Sequence, residues 1–160
     1  MVRSVASDEG WLRDAIRSFK YQGESARAEH LGELLVPLLV DLTPFDALVP
    51  VPLHPRRERR RGFNQARLLA RAAAKQLDAP VENVLVRTRS TGQQVGLDAE
   101  ARRANVRGAF AVEDGRTCRG GRFVLVDDVL TTGSTLGNCA ETLAAAGAVW
   151  VGAVTLAREQ

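Results

Sequence analysis

A chain of 160 residues, 45% hydrophobic and 26% charged, has the length and composition of one soluble domain with its own core, and is short for two. A net charge of +3 argues against a general nucleic-acid binder, although arginine is concentrated at 56–61 (RRERRR) and 101–107 (ARRANVR). Cys118 and Cys139 are far apart and form no C-x-x-C pair, which argues against a disulfide framework or structural zinc site and fits a reducing cytoplasm. The longest apolar run, Leu34 to Val40, is too short to span a bilayer, and an acidic N-terminus without an apolar segment predicts no signal peptide.

Asp8 can cap a helix in which Trp11, Leu12, Ala15, Ile16 and Phe19 fall at helical spacing; Trp11 and Phe19 read as core, and the helix is expected to stop near Gly23. A second helix is expected from about Glu24, with Ala26, Leu31, Leu34, Leu35, Leu38 and Leu39 as its stripe and Pro37 kinking it or starting a new turn. His30 falls within this helix, as a structural or exposed residue. DALVPVPL (46–53) reads as a short buried strand, and GFNQARLLARAAAKQL (62–77) as a helix with Ala66, Leu69, Ala73 and Leu77 on one side. VENVLVRTR (81–89) is strand-like. Residues 90–108 are polar and glycine-punctuated, a long loop with a helical turn around 99–104, and GAFAV (108–112) is a strand returning from it. RFVLVDD (122–128) is a near-continuous apolar strand, STLGNCAETLAAAGA (134–148) a helix that packs Cys139, and VWVGAVTLA (149–157) a closing strand; Cys118 reads as a loop thiol. Strands alternating with helices predict one α/β domain, a mostly parallel sheet with helices on both faces.

The chemistry concentrates in FVLVDDVLTTGST (123–135). Ligands of open α/β sheets sit at the carboxyl ends of the strands, where Asp127 and Asp128 fall. Successive side chains of an extended chain point to opposite faces, so two adjacent acids can fork around a ligand. They would accept hydrogen bonds from a vicinal diol such as that of ribose, or hold a hydrated magnesium ion. The LTTGST that follows enters a helix N-terminus, whose N–H groups and dipole favour an anion, and Gly133 permits close approach or a positive φ. Diol on one side and phosphate on the other describe a phosphorylated ribose. The segment is neither a Walker A loop nor a G-x-S-x-G elbow. An acidic strand end followed by an ordinary Ser/Thr cap accounts for each residue singly, but not for two strand-end acids followed by so many small polar residues.

VLVDDVLTTGSTL resembles the phosphoribosyl-pyrophosphate (PRPP) binding motif of the type I phosphoribosyltransferases, two acids after an apolar strand followed by a T-T-G-x-T loop. KYQGE (20–24), VPVPLHPRRERRRGFNQA (49–66), TGQQVGLDAEARRANVRGAF (91–110) and VTLAR (154–158) resemble the ComF/GntX branch and extend the likeness over nearly the whole chain. The resemblance implies a Rossmann-like α/β core (46–160) with a small helical hood (1–45) and a flexible catalytic loop at 90–108.

By the same resemblance, Asp127 and Asp128 would bind the ribose hydroxyls, and Thr131, Thr132, Gly133, Ser134 and Thr135 the 5′-phosphate. Pro52, Leu53, His54 and Pro55 would form the pyrophosphate loop, with Arg56 and Arg57 nearby; His54 would donate to an anion or merely fill the turn. Arg61 and Asn64 would meet pyrophosphate or another polyanion. Gln94, Arg102, Arg103 and Asn105 would belong to the catalytic loop, and Lys20 and Tyr21 would face the ligand from the hood. PRPP would bring magnesium with it, and no direct protein metal site is expected.

The implied activity is phosphoribosyl transfer to an unidentified acceptor with release of pyrophosphate. Two other classes stay open: a non-catalytic PRPP-binding regulator or adaptor, and an accessory protein of competence or DNA uptake working through the arginine clusters. Type I relatives are commonly dimers, so self-association is expected, with no membrane association. Two departures stand out. These 160 residues contain none of the paired C-x-x-C motifs of the zinc ribbon with which many members begin, and the last predicted strand lies close to Gln160, where well-characterised nucleobase transferases often continue with residues that read the base.

Overall fold

In the computed structural model, residues 1–21, 27–89, 108–113 and 118–159 are described, with the side chain of Tyr21 excepted. The central sheet has four parallel strands: β1 (Val2–Ser7), β2 (Ala47–Pro50), β5 (Arg122–Leu130) and β6 (Trp150–Arg158), in the order β1-β6-β5-β2. Val81 adds a parallel bridge to Leu48 beyond β2. Two short strands, β3 (Leu85–Arg87) and β4 (Phe110–Val112), pair antiparallel with each other as a separate ribbon. They flank the stretch read as the long loop, most of which lies outside the described residues.

The helices sort by which face of β5 they cover. Val124 and Val126 point to a core shared with α1 (Gly10–Tyr21), α2 (Arg27–Glu33), α3 (Val36–Val40) and α5 (Gln65–Leu77), through Leu12, Phe19, Leu31, Leu39 and Leu69. Phe123 and Leu125 point to the other core, with Leu136, Cys139 and Leu143 of α6 (Ser134–Ala145) and Leu85 and Phe110 of the ribbon. This period-two alternation is what a strand covered on both faces requires. It slips after the acids, since Val129 joins the first core and Leu130 the second.

Several local details differ from the sequence reading. The first residues form the edge strand β1, so the segment read as a helical hood also contributes to the sheet. Its residues are half-buried or exposed, and so lack a strong apolar alternation. Trp11, read as core, is 69% exposed, whereas Leu12, Ile16 and Phe19 are buried. The helix expected from about 24 is two helices, with the break just before Pro37. The arginine run is a helix of its own, α4 (Pro55–Arg61), ended by Gly62 at φ 89. Cys118, read as a loop thiol, is buried in the second core; it and Cys139 are not joined in a disulfide. His30 is exposed.

No helix among the described residues is long and apolar enough to cross a membrane.

Two glycines give opposite expectations. Gly32 lies where α2 crosses α5, and a Cβ there would sit 2.5 Å from the Ala72 Cβ and 3.0 Å from the Leu69 carbonyl oxygen. Gly137 lies in α6 with nothing within 4 Å of an added Cβ. Gly32→Ala should therefore cost roughly 1–3 kcal/mol by overpacking. Gly137→Ala should stabilise by about 0.5–1 kcal/mol through helix propensity. Urea denaturation of the two variants checks both signs.

Candidate functional site

The site forms where β5 runs out. Asp127 pairs in register with Thr155 of β6, and Asp128 follows it at the carboxyl edge of the sheet. The two carboxylates diverge. Asp128, 9% exposed, meets α1 and α5: its Oδ2 is 3.1 Å from Lys20 Nζ and accepts from Gln65 Nε2 at 3.4 Å. The half-buried Asp127 lies on the α6 and ribbon side, within the electrostatic reach of Arg87 and Cys139, and its Oδ1 accepts the Asp128 N–H at 2.9 Å. Burial, and then the adjacent Asp128 carboxylate, push Asp127 up to about 7. Burial also drives the Cys139 thiol far above its usual range, so it is an inert packed residue.

Opposite the acids is the turn between β2 and α4. His54 is the N-cap of α4, and its Nδ1 accepts the Arg56 N–H at 3.2 Å. Burial, and then Arg56, Arg87, Arg57 and Arg59, lower the His54 pKa. A neutral His54 accepting at Nδ1 must carry its proton on Nε2. A cleft of about 220 Å³ separates this turn from the acids. Pro52, Leu53, Arg57, Arg61, Lys20, Gln65 and Arg87 line it together with Asp127, Asp128 and Thr135. His54 and Arg56 are not among the lining residues. Arg87 reaches the cleft from β3, where its guanidinium lies 5.3 Å from the Phe110 ring centroid.

The small residues after β5 build the start of α6. Gly133 is its N-cap at φ 75, a conformation open to glycine, and it has no side chain with which to cap the helix. Thr132 and Ser134 share a hydroxyl hydrogen bond of 2.8 Å, and the Ser134 N–H donates to Thr132 Oγ1 at 3.4 Å. Thr131, Gly133 and Thr135 line a small pit with Asp127. The helix N-terminus, with its anion-favouring dipole, thus lies beside the acid pair.

Of the residues expected in the site, Pro52, Leu53, Arg57, Arg61, Asn64, Lys20, Asp127, Asp128, Thr131, Gly133 and Thr135 line the cleft and pit, whereas Thr132 and Ser134 bond to each other beside them. Gln94, Arg102, Arg103 and Asn105, and the Tyr21 side chain, lie outside the described residues. Asn64 also lines the cleft. Its amide donates to the Val51 carbonyl at 3.0 Å, and its Oδ1 caps α5 by accepting the Ala66 N–H at 3.0 Å, so it fixes the turn. Gln65 and Arg87 were not singled out in the sequence. A charged residue within an otherwise apolar short strand was the signal for Arg87; Gln65 left none.

The family model for the phosphoribosyl transferase domain matches residues 64–160, from the Asn64 cap through the acid pair to the end of β6. The chain belongs to the phosphoribosyl transferase family. Its likeness to curated proteins runs to the ComF branch. It is 38% identical to competence protein F of Haemophilus influenzae over 80% of this chain and 59% of that one. It is 41% identical to the DNA utilization protein YhgH of Escherichia coli K12, over 87% and 65%. It is 31% identical to competence protein ComFC of Bacillus subtilis, over 98% and 63%. The chain therefore spans about three fifths of the length of these relatives.

Among solved structures, the fold matches glutamine PRPP amidotransferase from B. subtilis, complexed with ADP and GMP, at a TM-score of 0.56. That match has 21% identity and covers 82% of this chain and 26% of the other. The allosteric regulatory enzyme of purine biosynthesis matches at a TM-score of 0.52 and 23% identity, over 82% and 25%. Both establish the type I phosphoribosyltransferase fold for this phosphoribosyl transferase domain.

Two measurements follow. Asn64→Ala leaves the Val51 carbonyl without its partner and removes the α5 cap, and should cost roughly 1–3 kcal/mol in chemical denaturation. Asp127 has a folded pKa above its unfolded value, so its contribution to stability is fully present below about 3.8 and is lost as pH rises through about 7. Wild type should therefore lose stability relative to Asp127→Asn between pH 5 and pH 8. A difference that is flat or opposite in sign contradicts this electrostatic account.

Proposed function

We propose that the cleft binds PRPP and that the protein transfers its phosphoribosyl group to an acceptor, releasing pyrophosphate. The observation that carries this reading is the meeting, at the end of β5, of a forked acid pair and an anion-favouring helix N-terminus, across a cleft from cationic side chains. Asp127 and Asp128 accept the ribose hydroxyls. Residues 131–135 hold the 5′-phosphate. The Pro52–Leu53 turn with Arg57, Arg61 and Arg87 receives the pyrophosphate, and His54 and Asn64 keep that turn in shape. Gln94, Arg102, Arg103 and Asn105 belong to the loop that closes over the ligand in this reading.

The donor set fits a metal that arrives on the ligand. Two carboxylates border a cleft suited to a diphosphate, so the metal's remaining ligands can come from the diphosphate oxygens. Magnesium, when bound, supplies neutralisation of the leaving pyrophosphate. The protein's own contribution is positioning and charge: it anchors the sugar at both ends and places guanidinium groups where charge develops as the bond to the anomeric carbon breaks. A cytoplasmic location and self-association are part of this proposal.

A second reading is favoured by the names of the relatives and by one surface feature. Arg56, Arg59 and Arg60 of α4 are exposed, which suits an accessory protein of competence or DNA uptake that contacts a polyanion. The two readings are compatible, since α4 follows directly on the turn assigned to pyrophosphate.

Calorimetric titration of PRPP with magnesium into wild type and an Asp127→Ala/Asp128→Ala double variant tests the first reading. Saturable binding by wild type, weakened at least about tenfold in the variant, is expected. Correctly folded wild type that gives no binding heat contradicts it. Pyrophosphate release across a panel of acceptors then separates an enzyme from a PRPP-binding regulator or adaptor.

A further inference from the structure

Lys20 makes a contact that the PRPP reading leaves unexplained. It sits in the last turn of α1, and its ammonium lies 3.1 Å from Asp128 Oδ2 in a poorly exposed ion pair. The same oxygen accepts from Gln65 Nε2 at 3.4 Å. The sequence separation is large, and α1, α5 and β5 all converge to make this one polar junction. A carboxylate has about four acceptor positions, so Asp128 can hold Lys20 and Gln65 and still accept from a sugar hydroxyl. A bare divalent cation has no such freedom, because it would share one carboxylate with an ammonium at close range in a poorly solvated site.

We propose that Lys20 is a specificity-determining residue of the cleft: its ammonium, seated on Asp128, keeps free divalent cations off the acid pair while leaving both carboxylates open to hydroxyl donors. The inference rests on the PRPP reading of the cleft and names its consequence. Metal enters on a diphosphate, whose negative charge offsets the repulsion, and does not settle first as a free ion that would hold the carboxylates in the wrong arrangement. Arg57, Arg61 and Arg87 line the same cleft and act in the same direction, and Lys20 contacts Asp128 directly.

The test uses manganese alone, titrated into the ligand-free protein, with free Mn²⁺ read by electron paramagnetic resonance. Wild type and Lys20→Arg should bind Mn²⁺ equally weakly. Lys20→Met keeps the apolar stem and removes the charge, and should bind Mn²⁺ roughly tenfold or more tightly. Adding Asp128→Asn to Lys20→Met should abolish that gain. A merely structural role for Lys20 would change thermal stability without changing Mn²⁺ affinity. If Lys20→Met does not fold, Lys20→Gln replaces it with the same expectation. Equal Mn²⁺ affinity in wild type and the neutral variant overturns the proposal, as does a gain that survives Asp128→Asn. Because the assay contains no PRPP, its failure is distinguishable from failure of PRPP to bind in calorimetry.

Discussion

Two carboxylates on adjacent residues repel, and at the end of a buried strand both also lose water. The structure around β5 is arranged to make that pair tolerable. The strand sends the two side chains to different sides, so Asp128 can be met by Lys20 and Gln65 while Asp127 takes the next residue's N–H. What compensation remains incomplete appears as the raised pKa of Asp127, due first to burial and then to its neighbour. A pair in which Asp128 already contacts an ammonium and Asp127 is pushed up to about 7 suits hydrogen-bond donors that carry no charge. Sugar hydroxyls are such donors.

The rest of the fold can be understood as bringing partners to that point. α1 ends beside Asp128, α5 starts there, and the Asn64 cap ties the start of α5 to the Val51 carbonyl at the exit of β2. The turn that carries Pro52 and Leu53 is thereby fixed relative to the acids, and His54 fixes the first turn of α4 that follows. On the opposite side of the sheet the ribbon delivers Arg87, and α6 delivers its N-terminus. Along this short stretch of chain Asn64 both holds the turn and lines the cleft, and Arg57 lines it from α4.

The pattern of legibility follows from how local each signal is. The β5 strand, its acids and the Thr–Thr–Gly–Ser–Thr loop were readable because a strand buried on both faces leaves a continuous apolar run, and because the loop chemistry is contiguous in sequence. The α/β class was readable from the same alternation, and the family from motifs spread over the chain. Edge strand β1 was not, since a strand with one neighbour and exposed ends has little apolar pattern to show. Trp11 misled for a related reason: large and apolar, it falls beside the helical stripe and faces outward. Gln65 could not be found at all, because its meeting with Asp128 spans 63 residues of sequence and exists only once α5 crosses the end of β5. Asn64 was visible as part of a motif, but the hydrogen bonds by which it ties the Val51 carbonyl to the start of α5 exist only in the folded chain.

The central claim is that one pocket reads both ends of a phosphorylated ribose. A crystal structure with ribose 5-phosphate bound tests it most directly. The account predicts the ring hydroxyls on the Asp127 and Asp128 carboxylates and the phosphate at the N-terminus of α6, within the 131–135 loop. Phosphate seated instead among Arg57, Arg61 and Arg87, with no ring hydroxyl on either acid, would contradict it.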